Sequence, residues 1–234
     1  MNMTIEPPRD SLLTTAHSER LAVYWVPERE HPLWRAGCEW LRRDPESDNP
    51  GQAPAYAARA WRYGFHATLA APMHLAVGIA PQQLRRRLRE VVAKHCPFPM
   101  PPLAVQPLGD FLALRPVPAV DAWHPLRRLA DACVMACQPL RRPLDAAELE
   151  RRALGLASQA DRDNLSRWGY PFVFDRWRFH MTLSDAGHGG DATLRRRAER
   201  HFAEALTEPM RATSVALFTQ AAPGAPLRLA ERIA

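Results

Sequence analysis

Two octets constrain this chain more than any other feature. Residues 62–69 read Arg-Tyr-Gly-Phe-His-Ala-Thr-Leu and residues 176–183 read Arg-Trp-Arg-Phe-His-Met-Thr-Leu, with five of eight positions identical. A strand sends alternate side chains to opposite faces. Tyr63, Phe65, Ala67 and Leu69 then share an apolar face, opposed by Arg62, Gly64, His66 and Thr68. The second octet sets Trp177, Phe179, Met181 and Leu183 against Arg176, Arg178, His180 and Thr182. Strands are therefore predicted over 62–69 and 172–183. An ordinary surface strand would also be polar outside, but that does not explain why the same residue types recur. Each octet precedes a helical pattern and a hairpin pattern: 81–95 then 103–106 with 111–115, and 192–206 then 213–219 with 227–233. A repeat of this kind predicts two related halves. The octet strands are expected to be central, in separate sheets.

The remaining sequence reads as one globular unit. Residues 1–19 have no hydrophobic period and are expected to form a flexible arm, leaving 20–234 as a single bilobal domain. A further strand is predicted over 20–26, with helices over 31–43, 126–137, 145–157 and 158–168. No apolar run approaches the roughly 20 residues that span a bilayer, so no membrane association is expected. The first twenty residues lack a basic segment leading into an apolar core, which points to the cytoplasm. The charge is +6, which admits an anionic partner. All but one of the 31 basic residues are arginine, Lys94 being the exception; that is as much a compositional bias as a functional sign. Cys38, Cys96, Cys133 and Cys137 lack the paired spacing of zinc ligands and read as packed thiols. No GxxxxGK[ST], GxGxxG or HExxH motif is present. Neither a metal nor a cofactor is expected.

The polar faces of the octets offer a chemistry. Imidazole, with a pKa near 6.5, serves as base or acid around neutrality. Threonine hydroxyls donate to phosphate oxygens, and arginine binds them with a planar fork. Two such faces on one cleft could hydrolyse a phosphodiester, one histidine activating water and the other protonating the leaving alkoxide. His66 and His180 are the candidate catalytic pair. Thr68, Thr182, Arg62, Arg176 and Arg178 are candidate phosphate ligands, with Arg178 favoured over Arg176 for its register with His180. Tyr24 and Tyr170 are candidate cleft-lining residues; core packing is an equal reading for Tyr24 and the favoured one for Tyr170.

These motifs, together with Pro32-Leu33-Trp34-Arg35 and Trp168-Gly169-Tyr170-Pro171, resemble the two-histidine (2H) phosphoesterase superfamily with its paired H-x-T-x motifs. The closer resemblance is to its phosphonate-metabolism-associated branch, domain of unknown function 1045, over about residues 20–233. The resemblance implies an α+β fold of two pseudo-symmetric lobes, each an antiparallel sheet flanked by helices, with a cleft between them. It implies a metal-free hydrolase, a cyclic phosphodiesterase, acting on a small cyclic phosphate such as a ribose cyclic phosphate of phosphonate metabolism. His66 and His180 would be acid and base, with Thr68 and Thr182 on the phosphate. The alternative partner is RNA, in end-processing or binding of the 2′-5′ RNA ligase-like type. Against it, the tryptophans fall in core patterns, and the Arg85–Arg87 and Arg195–Arg197 runs read as solvated helix faces. The branch usually has lysine after His-Ala-Thr-Leu, where this chain has Ala70. Arg62, Arg176 and Arg178 are the candidates to replace it.

Overall fold

A computed structural model describes residues 19–234; the arm expected over 1–19 lies, except for Glu19, outside the described residues. The chain is α+β. Among the described residues nine strands run in chain order: β1 (Arg20–Trp25), β2 (Ala67–Met73), β3 (Phe98–Pro99), β4 (Leu103–Leu108), β5 (Phe111–Pro116), β6 (Met181–Thr182), β7 (Arg211–Ala212), β8 (Val215–Gln220) and β9 (Arg228–Ile233). The helices are α1 (Pro32–Leu41), α2 (Ala58–Tyr63), α3 (Pro81–His95), α4 (Pro125–Cys137), α5 (Ala146–Ala153), α6 (Gln159–Trp168) and α7 (Ala192–Phe202). Proline opens α1, α3 and α4, where a missing N–H costs nothing. The Asp191 carboxylate caps α7 through the N–H groups of Thr193 and Leu194, satisfying donors the helix cannot pair itself.

Seven strands form one antiparallel sheet in the order β4-β5-β6-β2-β1-β8-β9. Each half contributes a hairpin, β4–β5 and β8–β9, and the β4–β5 hairpin of the first half pairs with β6 of the second. The octet strands are thus not in separate sheets: β2 and β6 pair directly, Ala67 opposite Met181. The reason is backbone satisfaction. Met181 is fully buried, and a lone edge there would strand its N–H and C=O away from water; β5 and β2 supply partners on either side. Alternation along β1 divides the interior. Leu21, Val23 and Trp25 face the main core, while Ala22, Tyr24 and Val26 face a second cluster with Trp34, Phe218 and Leu227. The main core also takes the apolar faces of α1, α3, α4 and α7, so the helices cover one sheet face and leave part of the other open. Among the described residues no helix is long and apolar enough to cross a membrane.

Both octets are shorter as strands than their alternation predicts. Residues 58–63 are helical, and the strand starts only at Ala67. The helix is made possible from a distance: the Asp185 carboxylate, just beyond the second octet, accepts from the N–H groups of Arg59 and Ala60 at 2.9–3.1 Å. It thereby caps an Ala-rich segment whose own sequence carries no cap. In the second octet a helical turn at Phe174–Arg176, entered through Phe174 at φ 51°, replaces the start of the expected strand.

Candidate active site

The β2–β6 register builds the site. With Ala67 opposite Met181, His66 lies across from Thr182 and Thr68 across from His180. Side chains two apart share a face, so the four form a two-by-two patch on the face turned away from the main core. Directly opposed pairs on an antiparallel ladder stand about 5 Å apart at Cβ and diagonal ones about 7–8 Å. The histidines occupy one diagonal and the threonines the other. Three adjoining cavities open on this patch: one with His180, Thr68, Phe111 and Phe172; one with His66, Thr182 and Asp185; one with His66, Thr68, Thr182 and Tyr24.

Each imidazole is oriented by the same local bond. His66 Nδ1 lies 2.9 Å from the Gly64 carbonyl and His180 Nδ1 2.8 Å from the Arg178 carbonyl, in each case two residues upstream. A carbonyl only accepts, so both Nδ1 atoms carry hydrogen and both Nε2 atoms present a lone pair. The Thr68 hydroxyl, 3.2 Å away, donates to His66 Nε2. Gly64 makes the first arrangement possible. It turns the chain from α2 into β2 at φ 77° and ψ 177°, a conformation open essentially to glycine alone. Phe65, buried beneath, sits so close to Gly37 that any Cβ there would fall 2.0 Å from its ring. The Tyr24 ring stacks on His66 at 3.7 Å between centroids, 24° from parallel. Trp177 Nε1 donates to the Thr68 carbonyl at 2.8 Å, tying the two octets together.

Electrostatics favour neutral imidazoles. Burial pushes His66 down to about 4, with the approach of His180 adding to the effect and the Gly64 bond opposing it. Burial also lowers His180, opposed by the Arg178 carbonyl, with Arg115 on the neighbouring strand contributing. An anion in the cleft acts the other way on both.

The other candidates divide. Tyr24 and Tyr170 line the cavities, and Tyr24 is also 1% exposed, so it belongs to core and cleft at once. Arg176 and Arg178 line the cavity beside His180. Arg176 is bound to Asp161 at 2.8 Å, whereas among the described residues Arg178 donates only to the carbonyls of Asp175 and Trp177. Arg62 is not brought to the site: it sits exposed at the end of α2, because the helix removes the alternation that aligned it with His66. Ala70 is buried, against the space lined by Arg141 and Arg152. Sequence reasoning missed Arg20, Arg152, Phe111 and Phe172, all of which line the cavities. Phe111 follows a Gly-Asp turn and could have been found from the hairpin; Arg20 and Arg152 carry no local signal. Among the described residues no group of three or more His, Cys, Asp or Glu is arranged to hold a metal ion.

A family model described as "Protein of unknown function (DUF1045)" matches residues 68–228. The chain belongs to this family. DUF1045 is the branch of the 2H phosphoesterases that the octets and their flanks resemble. Two curated relatives of this DUF1045 chain are named ribose 1,5-bisphosphate phosphokinase PhnN. The one from Janthinobacterium sp. (strain Marseille) is 36% identical over 230 residues, 92% of this chain and 50% of the relative. The one from Laribacter hongkongensis (strain HLHK9) is 34% identical over 219 residues, 90% of this chain and 50% of the relative. The chain spans about half the length of the curated relatives it matches.

Proposed function

We propose that this protein is a metal-independent phosphodiesterase that opens a small cyclic phosphate ester, of the kind a ribose cyclic phosphate of phosphonate metabolism represents. The observation that carries the reading is the pair of imidazoles, each with Nδ1–H fixed on a carbonyl two residues upstream and Nε2 left as an acceptor, which on His66 takes the Thr68 hydroxyl. They lie on one diagonal of a patch completed by two threonine hydroxyls. His66, the more enclosed and held neutral to about pH 4, takes the proton from water through Nε2. As the water oxygen bonds to phosphorus, the phosphorus–oxygen bond to the sugar breaks. His180, protonated in the complex under the influence of the bound anion, donates its Nε2 proton to the departing alkoxide. The product is a phosphate monoester with a free hydroxyl. Thr68, Thr182 and Arg178 hold the non-bridging oxygens.

The name of the curated relatives is that of a kinase of ribose 1,5-bisphosphate. A P-loop kinase binds its nucleotide through GxxxxGK[ST], which this chain lacks, and the chain matches only half of those proteins. We therefore do not carry the kinase activity over. RNA processing is the weaker alternative. Arg85 is paired with Glu231, Arg86 with Glu90 and Arg195 with Glu199, so half of the six arginines in the two runs are already held by carboxylates. The experiment is a panel of ribose and nucleoside cyclic phosphates assayed in chelator, alongside ribose 1,5-bisphosphate with ATP. Hydrolysis of a cyclic phosphate, lost in His66→Ala and His180→Ala, supports the reading. ATP-dependent phosphorylation without any hydrolysis overturns it.

A further inference from the structure

One end of the cleft is built for more than a single phosphodiester. The cavity of about 280 Å3 that holds His66, Thr68 and Thr182 runs on to Arg20 and Arg152, and no carboxylate lines it. Among the described residues Arg20 has no acidic partner: it bonds the neutral Gln220 side chain at 3.0 Å and the Pro72 carbonyl at 3.4 Å. Its Nε is buried and, among the described residues, has no hydrogen-bond partner, so only the terminal nitrogens can meet a ligand. Arg152 shares a single carboxylate, Glu148, with Arg142, at 2.5 and 3.8 Å respectively. The tyrosines converge on the same space. Tyr24, Tyr63 and Tyr170 line the cavity, and among the described residues none of their hydroxyls has a hydrogen-bond partner. For Tyr24 this holds although the side chain is 1% exposed. Two guanidinium groups drawn towards each other in a half-buried space repel; that repulsion and burial both hold the Arg20 pKa down. An anion entering the cavity opposes both, because it favours the charged guanidinium.

We propose that Arg20 and Arg152, with the hydroxyls of Tyr24, Tyr63 and Tyr170, form a second anion subsite that takes a phosphate monoester carried at the other end of the same substrate. This rests on the phosphodiesterase reading above and narrows it. The substrate class becomes a small sugar bearing a cyclic phosphate at the histidines and a dianionic monoester at the arginines. A monoester fits better than a carboxylate, because its three terminal oxygens can use five converging donor groups. The threonines, which share this cavity with the arginines, keep the two phosphates within the span of one small molecule.

The test compares ribose 2,3-cyclic phosphate with and without a 5-phosphate. The wild-type protein is expected to show kcat/KM about 10–100-fold higher for the doubly phosphorylated probe, the worth of a charge-assisted bond or two. In Arg20→Gln and Arg152→Gln that ratio is expected to fall toward one. Equal kcat/KM for the two probes in the wild-type protein overturns the subsite, as does an equal loss on both in the variants. A second arm keeps the subsite testable if neither probe is hydrolysed. Ribose 5-phosphate contains no diester, and calorimetry reads its binding directly. It is expected to bind the wild-type protein and the His66→Ala/His180→Ala protein alike, and Arg20→Gln at least tenfold more weakly. Binding lost in the histidine double variant but retained in Arg20→Gln places the anion at the histidines and overturns the proposal. Failure of hydrolysis with this binding pattern intact overturns the phosphodiesterase reading instead. Circular dichroism and thermal melting confirm that each variant is folded.

Discussion

Replacing Arg43 is expected to cost both stability and turnover, although the residue touches no cavity of the site. Its side chain is 4% exposed and forms no ion pair among the described residues. The guanidinium donates to the carbonyls of Trp61 at 2.6 Å, Arg62 at 2.9 Å and Leu227. The first two lie in the last turn of α2, where Trp61 also accepts from the Gly64 N–H and Arg62 from the Leu227 N–H, and where a cation is favoured by the helix dipole. Three bonds from a charged donor, at about 2 kcal/mol each, are together worth roughly 6 kcal/mol. Against this stands the burial that holds its pKa at about 10, a penalty on the order of 3 kcal/mol. Arg43→Met keeps most of the packing and loses the difference, so about 3 kcal/mol is expected. For a domain of this size that is a fall in Tm of about 6–12 °C. Because α2 ends one residue before Gly64, whose carbonyl orients His66, kcat is also expected to fall about tenfold with KM little changed. Arg43→Lys is not expected to restore either, since an ammonium cannot reproduce the planar fork. Urea unfolding midpoints and steady-state kinetics on the same preparations read both quantities. A loss under about 1 kcal/mol for Arg43→Met would refute the reasoning.

Further outcomes follow from the paired histidines. His66→Ala and His180→Ala should each lower turnover by about 10²–10⁴-fold, and the double variant by less than the product of the two; native-rate turnover by the double variant would remove both from the mechanism. Thr68→Ala and Thr182→Ala should each cost about 1–3 kcal/mol of transition-state stabilisation, read from kcat/KM. Turnover should survive exhaustive chelation; complete loss, restored by one divalent ion, would reject the acid–base scheme. The profile of kcat/KM against pH should be a bell on the acid side of neutrality. Its lower limb falls as His66 gains a proton near 4, and its upper limb falls as His180, lowered from 6.5, loses one. An optimum above pH 7.5 would contradict this. The same depressed values make both groups stabilising above the unfolded pKa of about 6.5. That stability is lost as pH falls toward the folded values, so His66→Gln should flatten the acid limb of a stability profile.

What the sequence disclosed, and what it concealed, divides along the range of the forces involved. The helices α3, α6 and α7 and both hairpins follow from local patterns: Pro81 with Leu84 and Leu88, Ser158 before Gln159, Asp191 before Ala192. The His-x-Thr faces were legible because a two-residue alternation survives in the few residues that remain extended, Ala67 and Thr68 on one side and Met181 and Thr182 on the other. Arg62 was misplaced because its backbone is governed by Asp185, more than a hundred residues away, which caps α2 and ends the alternation before it begins. The pairing of β2 with β6 was hidden for the same reason: nothing within either octet says that its edge must be satisfied by the other.

The arginines show the limit most clearly. Arg20 opens a strand and Arg152 lies near the end of α5, a helix with no fully buried residue. In the sequence each is one basic residue among many in an arginine-rich chain. They become distinctive only when the sheet brings Gln220 rather than a carboxylate beside Arg20, and when Tyr170, following α6, closes the cavity between them. The meaning of Arg20 is set by the carboxylate it lacks among the described residues. A partner's absence is a property of the folded neighbourhood, assembled from segments that share no local pattern. The histidines were found by what repeats along the chain. The second anion subsite emerges instead from polar groups left unsatisfied in space, and the comparison of singly and doubly phosphorylated probes therefore tests a part of the site that sequence periodicity cannot reach.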